Sequence, residues 1–185
     1  MTTPTFRTCD ATDPTDATAP RDPLAFAFAF ASATRDDTEA IVALHAAVER
    51  HRSAALPRAR SWRVPSAERV VRDMRGCDTV IARDGGEVVA SFRLDYRGGF
   101  AGVAPFTDVR ASAYLRDMAV LPALQRHGLG RRCLEEAERR ARARGAQAVR
   151  VDTNDDAFRA ALFYAACGYR EVMRHAQTLY FELLL

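Results

Sequence analysis

The sequence predicts one α/β domain built around a mixed sheet. Segments with a two-residue hydrophobic period alternate along the chain with segments of helical period, which is typical of this fold class. The chain has 185 residues and no internal repeat, so one domain with an appendage accounts for its length. The predicted order is β-α-α-β-β-β-α-β-α-β-β, with strands at 26–31, 79–82, 87–94, 114–120, 148–153, 169–174 and 178–185 and helices at 34–51, 66–76, 128–144 and 156–167.

The N-terminal segment differs in composition from the rest of the chain. Residues 1–23 are rich in Thr, Ala, Pro and Asp and have neither period, which predicts a disordered leader before a domain spanning 24–185. Phe26, Phe28 and Phe30 then alternate with alanine, and this pattern predicts a first strand with one large apolar face.

The next two elements are predicted as helices from their spacing and caps. Ile41, Leu44 and Val48 recur at helical spacing after Thr34, whose hydroxyl suits an N-cap position. Ser66 is the corresponding cap of the second helix.

Glycines and charge pairs delimit the elements that follow. Asp84-Gly85-Gly86 predicts a hairpin turn, because glycine tolerates positive φ. The glycine-bearing stretch 97–110 predicts a long flexible connection of the kind that often acts as a lid. Pairs such as Glu135 with Arg139 predict a solvated face on the long third helix, which ends at Gly145.

Composition argues against several classes of function. The net charge is +3 and all 27 basic residues are arginines interleaved with acids, so we expect no nucleic-acid partner, and lysine Schiff-base and P-loop chemistry are excluded. No run approaches the ~18 apolar residues of a membrane span and no signal-peptide pattern is visible, so we expect a cytoplasmic protein with no membrane partner. The cysteines are too widely spaced to predict a metal site, and we expect reduced thiols at Cys9, Cys77, Cys133 and Cys167.

The turn before the third helix has the features of a phosphate-binding site. Gly128 and Gly130 leave the backbone open at a helix start, where unpaired N–H groups and the helix dipole attract anions. Arg126, His127 and Arg131 add cationic donors around the same turn. The pattern is neither that of a Rossmann fold nor that of a P-loop.

This turn resembles a known motif. Val120, Pro122 and then Gln125-x-x-Gly128-x-Gly130 are similar to the acetyl-CoA motif of the GNAT N-acetyltransferase superfamily, which follows a strand that ends in valine.

A second motif of the same family follows downstream. Phe163-Tyr164-x-x-x-Gly168-Tyr169 is similar to the family's Y-x-x-x-G-F, and the element order matches over nearly all of the predicted domain. The resemblance implies a mixed, mostly antiparallel central sheet flanked by about four helices, with a cleft between the splayed fourth and fifth strands.

The resemblance also implies acetyl-CoA as co-substrate. Pantetheine is expected to lie in the cleft like an added strand, bonded to the main chain of Met118 and Val120, with the pyrophosphate on the N–H groups of 126–131. The residues implied to contact the cofactor are Met118, Ala119, Val120, Gln125, Arg126, His127, Gly128, Leu129, Gly130, Arg131 and Tyr164.

The family places the acid of acyl transfer at the position of Tyr164. A phenol with a pKa of about 10 can protonate a departing thiolate whose pKa is about 8.5. The N–H of Val120 is the implied donor to the carbonyl oxygen. The base is open: Asp152 ranks first, Tyr114 second and Asp117 third, and a water chain or an amine that arrives neutral are alternatives.

The fourth strand also predicts which side chains share a face. Simple alternation places Tyr114, Arg116 and Met118 on the face of Val120, unless a β-bulge re-aims them.

The acceptor is predicted only as a class. A primary amine, in a small molecule or at a protein N-terminus, is implied, and Arg116 and Trp62 are predicted to contact it. The asparagine that many family members carry near the cofactor is Ala157 here, and a non-catalytic acyl-CoA sensor on the same fold is the alternative function. The apolar stretch 179–185 favours a homodimer.

Overall fold

The computed structural model describes residues 28–56, 63–98, 102, 105–154 and 160–185. Its elements confirm the predicted order of strands and helices. They are β1 (Ala29–Ser32), α1 (Thr38–Ala55), α2 (Ala67–Met74), β2 (Asp78–Asp84), β3 (Glu87–Asp95), β4 (Ser112–Val120), α3 (Leu129–Ala143), β5 (Ala148–Asn154), α4 (Ala160–Ala166), β6 (Arg170–His175) and β7 (Thr178–Leu184). The predicted leader and Trp62 lie outside the described residues.

The strands form one mixed sheet that opens in its middle. The strand order is β1-β2-β3-β4-β5-β7-β6, and every neighbouring pair is antiparallel except β4 with β5. The parallel pairing joins 112–115 to 148–151 and stops there, although β4 continues to Val120 and β5 to Asn154. The mostly antiparallel sheet with diverging fourth and fifth strands is the fold that the sequence predicts.

Helices cover both faces of the sheet. In β2, Val80 and Ala82 belong to the main core, whereas Ile81 between them packs with Ile41 of α1 and Val70 of α2. Because successive strand residues point to opposite faces, α1 and α2 lie on one face and α3 and α4 on the other. Large and fully buried side chains of the main core are Phe92, Leu94, Leu115, Leu129, Leu134 and Phe181.

The first helix is one turn longer than predicted. A 3₁₀ turn at Arg35–Asp37 leads into α1, which ends at Ala55 and not near residue 51. The extra turn carries Arg52, which is only 6% exposed and lies 3.7 Å from a carboxylate oxygen of Glu49. Arg52 is the buried residue of this otherwise exposed turn, and its long aliphatic stem packs as an apolar group although arginine is a polar residue type.

A β-bulge interrupts β4. Ser91 of β3 pairs with Ala119 and Arg93 pairs with Arg116, so two residues of β4 stand opposite one of β3. Asp117, the first of the two, has a φ of 49°, which extra bulge residues adopt at the cost of strain.

The bulge reverses the facing of the residues that follow it. Ala119 packs against Leu44 and Val48 of α1, whereas Val120 packs against the main core on the other face. The prediction that Val120 shares a face with Tyr114 and Arg116 is therefore wrong. Strict alternation fails because the additional residue of the bulge moves every following side chain to the opposite face of the sheet.

The connection 97–110 is anchored in its second half. The Thr107 N–H donates to the Glu182 carboxylate at 3.1 Å, and the Arg150 guanidinium donates to the Thr107 carbonyl at 2.6 Å. The predicted flexible lid does not extend to this part of the loop, because buried charged groups on β5 and β7 hold it. Residues 99–101 and 103–104 lie outside the described part.

The C-terminal strand lies inside the sheet, between β5 and β6. Leu179 and Phe181 are buried in the main core, and Leu184 is the exposed residue of the series at 55%. Most of this apolar stretch is covered within the chain, so it lends no support to the predicted homodimer.

Candidate active site

The free edge of β4 faces the gap that β5 leaves. The N–H of Leu121 donates to the carbonyl of Val89 on β3 at 2.8 Å. Neighbouring residues of a strand direct their N–H and C=O groups to opposite sides, so those of Val120 point away from β3 and into the gap. This is the edge along which the family resemblance implies that pantetheine would lie.

The glutamine of the motif holds the turn to this strand. The side-chain amide of Gln125 donates to the carbonyl of Val120 at 3.0 Å. Gln125 thus ties the start of the turn to the end of β4, and the N–H of Val120 keeps its direction into the gap.

The start of α3 has an open backbone at Gly128. Its φ is 84°, and a Cβ added there would meet no atom within 4 Å. The first helical bond runs from the N–H of Arg132 to the carbonyl of Gly128 at 3.2 Å, so the N–H groups of the first turn have no helical acceptor. The backbone around Gly128 therefore has the form that an anion-binding helix start requires.

Gly130 has a second reason to be glycine. A Cβ at this position would lie 3.3 Å from the Phe163 ring of α4, closer than side chains pack comfortably. The absence of a side chain here lets α4 approach α3, whether or not a phosphate also binds.

The polar side chains of the turn have partners within the protein. A ring nitrogen of His127 lies 2.8 Å from the carbonyl of Gln125, and Arg131 donates to the carbonyl of Ala166 at 3.0 Å. Arg131 therefore joins α3 to the end of α4. Contacts of Arg126, His127 and Arg131 with a cofactor stay predictions.

Tyr164 lies on α4, with its ring in the main core. It is 7% exposed and packs against Phe163, Tyr169 and Phe181 at ring-centre distances of 5.3, 5.8 and 5.7 Å. Burial raises the pKa of the Tyr164 phenol far above its ordinary value, and the negative charge of Asp152 adds to the rise. The phenol is protonated at neutral pH, as a tyrosine of ordinary pKa also is, and burial makes it a weaker acid than an exposed tyrosine.

Arg116 and Asp152 are the first residues beyond the last pair of β4 with β5. Asp152 is an exposed residue, yet surrounding protein atoms desolvate its carboxyl group and raise its pKa, while the charge of Arg116 opposes that rise. The structure thus brings Tyr164, Asp152 and Arg116 to the point where the two strands part.

The two other candidate bases have structural partners. Tyr114 is 2% exposed, and its hydroxyl accepts a hydrogen bond from Arg150 at 2.9 Å. The carboxylate of Asp117 forms ion pairs with Arg93 and with Arg69, the latter at 3.0 Å. A phenol bonded to a guanidinium and a carboxylate shared by two arginines are both poorly suited to accept the proton of an amine. Trp62 and Ala157 lie outside the described residues.

Two clusters were not predicted from the sequence. One is the buried pair of Arg150 and Glu182, whose Nε and carboxylate oxygen lie 3.0 Å apart. The other is a cavity lined by arginines at the start of α2. An arginine between valines in the strand 148–151 was the available signal for the first, and the closely spaced arginines of the segment 63–72 were the available signal for the second.

The described residues contain no helix that is long and apolar enough to span a bilayer. They also contain no group of three or more His, Cys, Asp or Glu side chains placed to hold a metal ion.

Comparison with known families identifies the class to which this site belongs. The sequence model described as the acetyltransferase (GNAT) family matches residues 32–169, which is more than half of the chain. The chain therefore belongs to the GNAT acetyltransferase family, and it is an acyltransferase.

Solved structures share this fold at low sequence identity. A GNAT-family acetyltransferase from Listeria monocytogenes 4b F2365 has a TM-score of 0.71 and 12% identity, covering 85% of this chain and 95% of its own. The PaiA N-acetyltransferase of Thermoplasma acidophilum, in complex with coenzyme A, has a TM-score of 0.69 and 12% identity, covering 86% and 99%. The GNAT domain of S. lividans PAT has a TM-score of 0.67 and 23% identity, covering 84% and 89%. A search of curated proteins finds no significant match.

Proposed function

We propose that this protein transfers an acetyl group from acetyl-CoA to a primary amine by direct attack. The observation that carries the proposal is the divergence of β4 from β5 after the pair of Leu115 with Val151. Membership of the acetyltransferase family and the coenzyme A bound to the similar PaiA N-acetyltransferase support acetyl-CoA as the donor.

The free edge of β4 and the start of α3 are suited to hold the donor. Pantetheine would pair with the main chain of Met118 and Val120, and the main-chain groups of Val120 point into the gap. The pyrophosphate would accept hydrogen bonds from N–H groups of 126–131 around the open Gly128 backbone. The acetyl carbonyl would then meet the N–H of Val120, which stabilises the oxygen as it gains negative charge.

The chemical step needs one base and one acid. The amine nitrogen attacks the thioester carbonyl, and its proton passes to Asp152, whose raised pKa makes the carboxylate a stronger base than an ordinary aspartate. As the C–S bond breaks, Tyr164 donates its proton to the sulfur and coenzyme A leaves as a thiol. The products are an amide and coenzyme A.

Replacement of Tyr164 by phenylalanine tests this assignment. Tyr164→Phe removes the proton donor but keeps the packing of the ring, so we expect release of coenzyme A to slow by about a hundredfold or more. Calorimetric affinity for coenzyme A should change little, because the phenol is not a binding group for the phosphates.

A neighbouring tyrosine supplies the matched control. Tyr169→Phe removes a buried phenol from the same aromatic cluster and should leave turnover near that of the wild type. Unchanged turnover in Tyr164→Phe would remove its role as acid. Folded protein that gives no heat with coenzyme A would overturn the donor itself.

A further inference from the structure

A cavity lined by arginines opens at the start of α2, away from the proposed cofactor site. Its volume is about 480 Å³. The residues that line it are Arg63, Val64, Pro65, Ser66, Arg69 and Arg72. A cavity of this size accommodates a small polar group together with its hydration water.

The cavity carries positive charge that is only partly balanced by carboxylates of the described residues. Arg69 forms ion pairs with Asp73 at 3.4 Å and with Asp117 at 3.0 Å, so its charge is balanced. Arg63 and Arg72 form no ion pair with any carboxylate of the described residues. Two guanidinium groups therefore border the same space with no ion-pair partner in the part of the chain that the structure describes.

Contacts connect this cavity with the chemical centre. Arg69 bonds to Asp117 in the bulge of β4, and Asp117 directly follows Arg116 at the point where β4 and β5 part. Pro65 also lines a smaller cavity that Asp117 and His45 border. The arginine cavity thus lies on the α1–α2 side of β4.

The position of the cavity separates it from the phosphates of the donor. The proposed pyrophosphate site is the start of α3, and α3 packs on the opposite face of the sheet from α2. The arginine cavity is therefore distinct from the proposed pyrophosphate site.

We propose that Arg63 and Arg72 bind an anionic oxygen group, a carboxylate or a phosphate, carried by the acceptor amine. This inference rests on the proposed function, because it names the acceptor of the same reaction. A planar guanidinium offers paired donors that match both kinds of oxyanion. The group anchors the acceptor at α2, and its amine extends past the bulge toward Asp152.

Matched amines distinguish the two oxyanions. The carboxylate probes are 3-aminopropanoate and 6-aminohexanoate, each compared with its neutral amide, and the phosphate probe is 2-aminoethyl phosphate compared with ethanolamine. The measurement is kcat/KM from coenzyme A release. We expect wild type to prefer at least one anionic probe over its neutral partner by about tenfold or more, as charge-assisted hydrogen bonds provide. The preference should shrink in 1 M salt, where the screening length is about 3 Å.

Two variants assign the preference to the cavity. Arg63→Gln with Arg72→Gln should reduce the ratio of anionic to neutral kcat/KM to near one, and activity on the neutral probes should persist. Arg75→Gln removes an exposed arginine at the other end of α2 and serves as the control, with the ratio of wild type.

The outcomes separate this inference from the proposed function. Equal use of anionic and neutral amines by wild type, or a ratio that the double variant leaves unchanged, overturns the inference and leaves the acetyltransferase standing. If no probe releases coenzyme A, calorimetry of 6-aminohexanoate and 2-aminoethyl phosphate with the coenzyme A-saturated protein decides. Binding that the double variant loses supports the cavity, and absence of heat overturns it.

Discussion

His45 is a buried histidine on α1, and its ring nitrogen lies 3.1 Å from the hydroxyl of Ser91. Burial lowers its pKa from 6.5 to about 4; the charge of Asp117 opposes this shift, and Arg69 and Arg93 contribute to it. The folded protein therefore keeps His45 neutral in a pH range where an exposed histidine would be charged.

This ionisation predicts a loss of stability in mild acid. Below about pH 6.5 the unfolded chain takes up a proton at His45 that the folded protein refuses until about pH 4, so the free energy of unfolding falls as the pH falls through this window. The loss from this group is about 2 kcal/mol between pH 7 and 5. Urea unfolding at several pH values measures it.

Histidine variants separate this contribution from that of the carboxylates. The free energy of unfolding of His45→Gln should fall less between pH 7 and 5 than that of the wild type. His175→Gln, which removes an exposed histidine, should keep the wild-type slope. Identical slopes for His45→Gln and wild type would contradict the assignment.

The helix α3 is bounded by two glycines with similar backbone conformations. Gly128 before its start has a φ of 84°, and Gly145 after its end has a φ of 76°. A Cβ at either position would meet no atom within 4 Å, so substitution costs only backbone strain. The two ends differ in what they offer a ligand, because the start presents N–H groups and the end presents carbonyls.

The glycine pair gives a prediction for the cofactor site. Gly128→Ala and Gly145→Ala should each lower the free energy of unfolding by about 1–2 kcal/mol, because alanine is strained at positive φ. Only Gly128→Ala should also weaken binding of coenzyme A, since its Cβ would stand where the pyrophosphate is proposed to bind. Urea unfolding measures the free energy of unfolding, and calorimetry measures the affinity for coenzyme A. Equal coenzyme A affinity in both variants would argue against the α3 site.

The pair of Arg150 and Glu182 connects parts of the molecule that are distant in sequence. The Glu182 side chain is 1% exposed and joins β7 to Arg150 on β5 and to Thr107 in the connection before β4. Arg150 also stacks over the ring of Phe106 at 4.5 Å and donates to Tyr114 on β4. These contacts hold together β4, β5 and β7 on the face where Asp152 lies.

Loss of this buried pair should destabilise the whole domain. Glu182→Gln leaves the Arg150 charge buried without its counter-ion, and we expect the free energy of unfolding to fall by about 3 kcal/mol. Glu171 and Arg174 both lie on β6, the strand beside β7, and form an exposed ion pair at 3.4 Å. Glu171→Gln breaks this pair and should lower the free energy of unfolding by less than about 1 kcal/mol. Thermal or urea unfolding measures the free energy of unfolding of both variants. Similar decreases in the two would contradict the larger contribution expected from the buried pair.

The sequence by itself determined the order of the elements and the two motifs of the family. Cap residues, hydrophobic periods and the turn at Gly128 act over a few neighbouring positions, so the local sequence is enough to predict the elements that they form. The same holds for Tyr164, whose place on α4 follows from the helix that ends at Gly168.

Only the tertiary structure decided how those pieces present their side chains. The bulge at Asp117 depends on pairing with β3, and it changed the faces of Ala119 and Val120. The buried pair of Arg150 and Glu182 joins two strands whose paired residues are 32 positions apart, and no local pattern encodes this contact. Pairing, burial and charge balance are properties of the assembled chain, which is why the roles of individual arginines and aspartates emerged only with the fold.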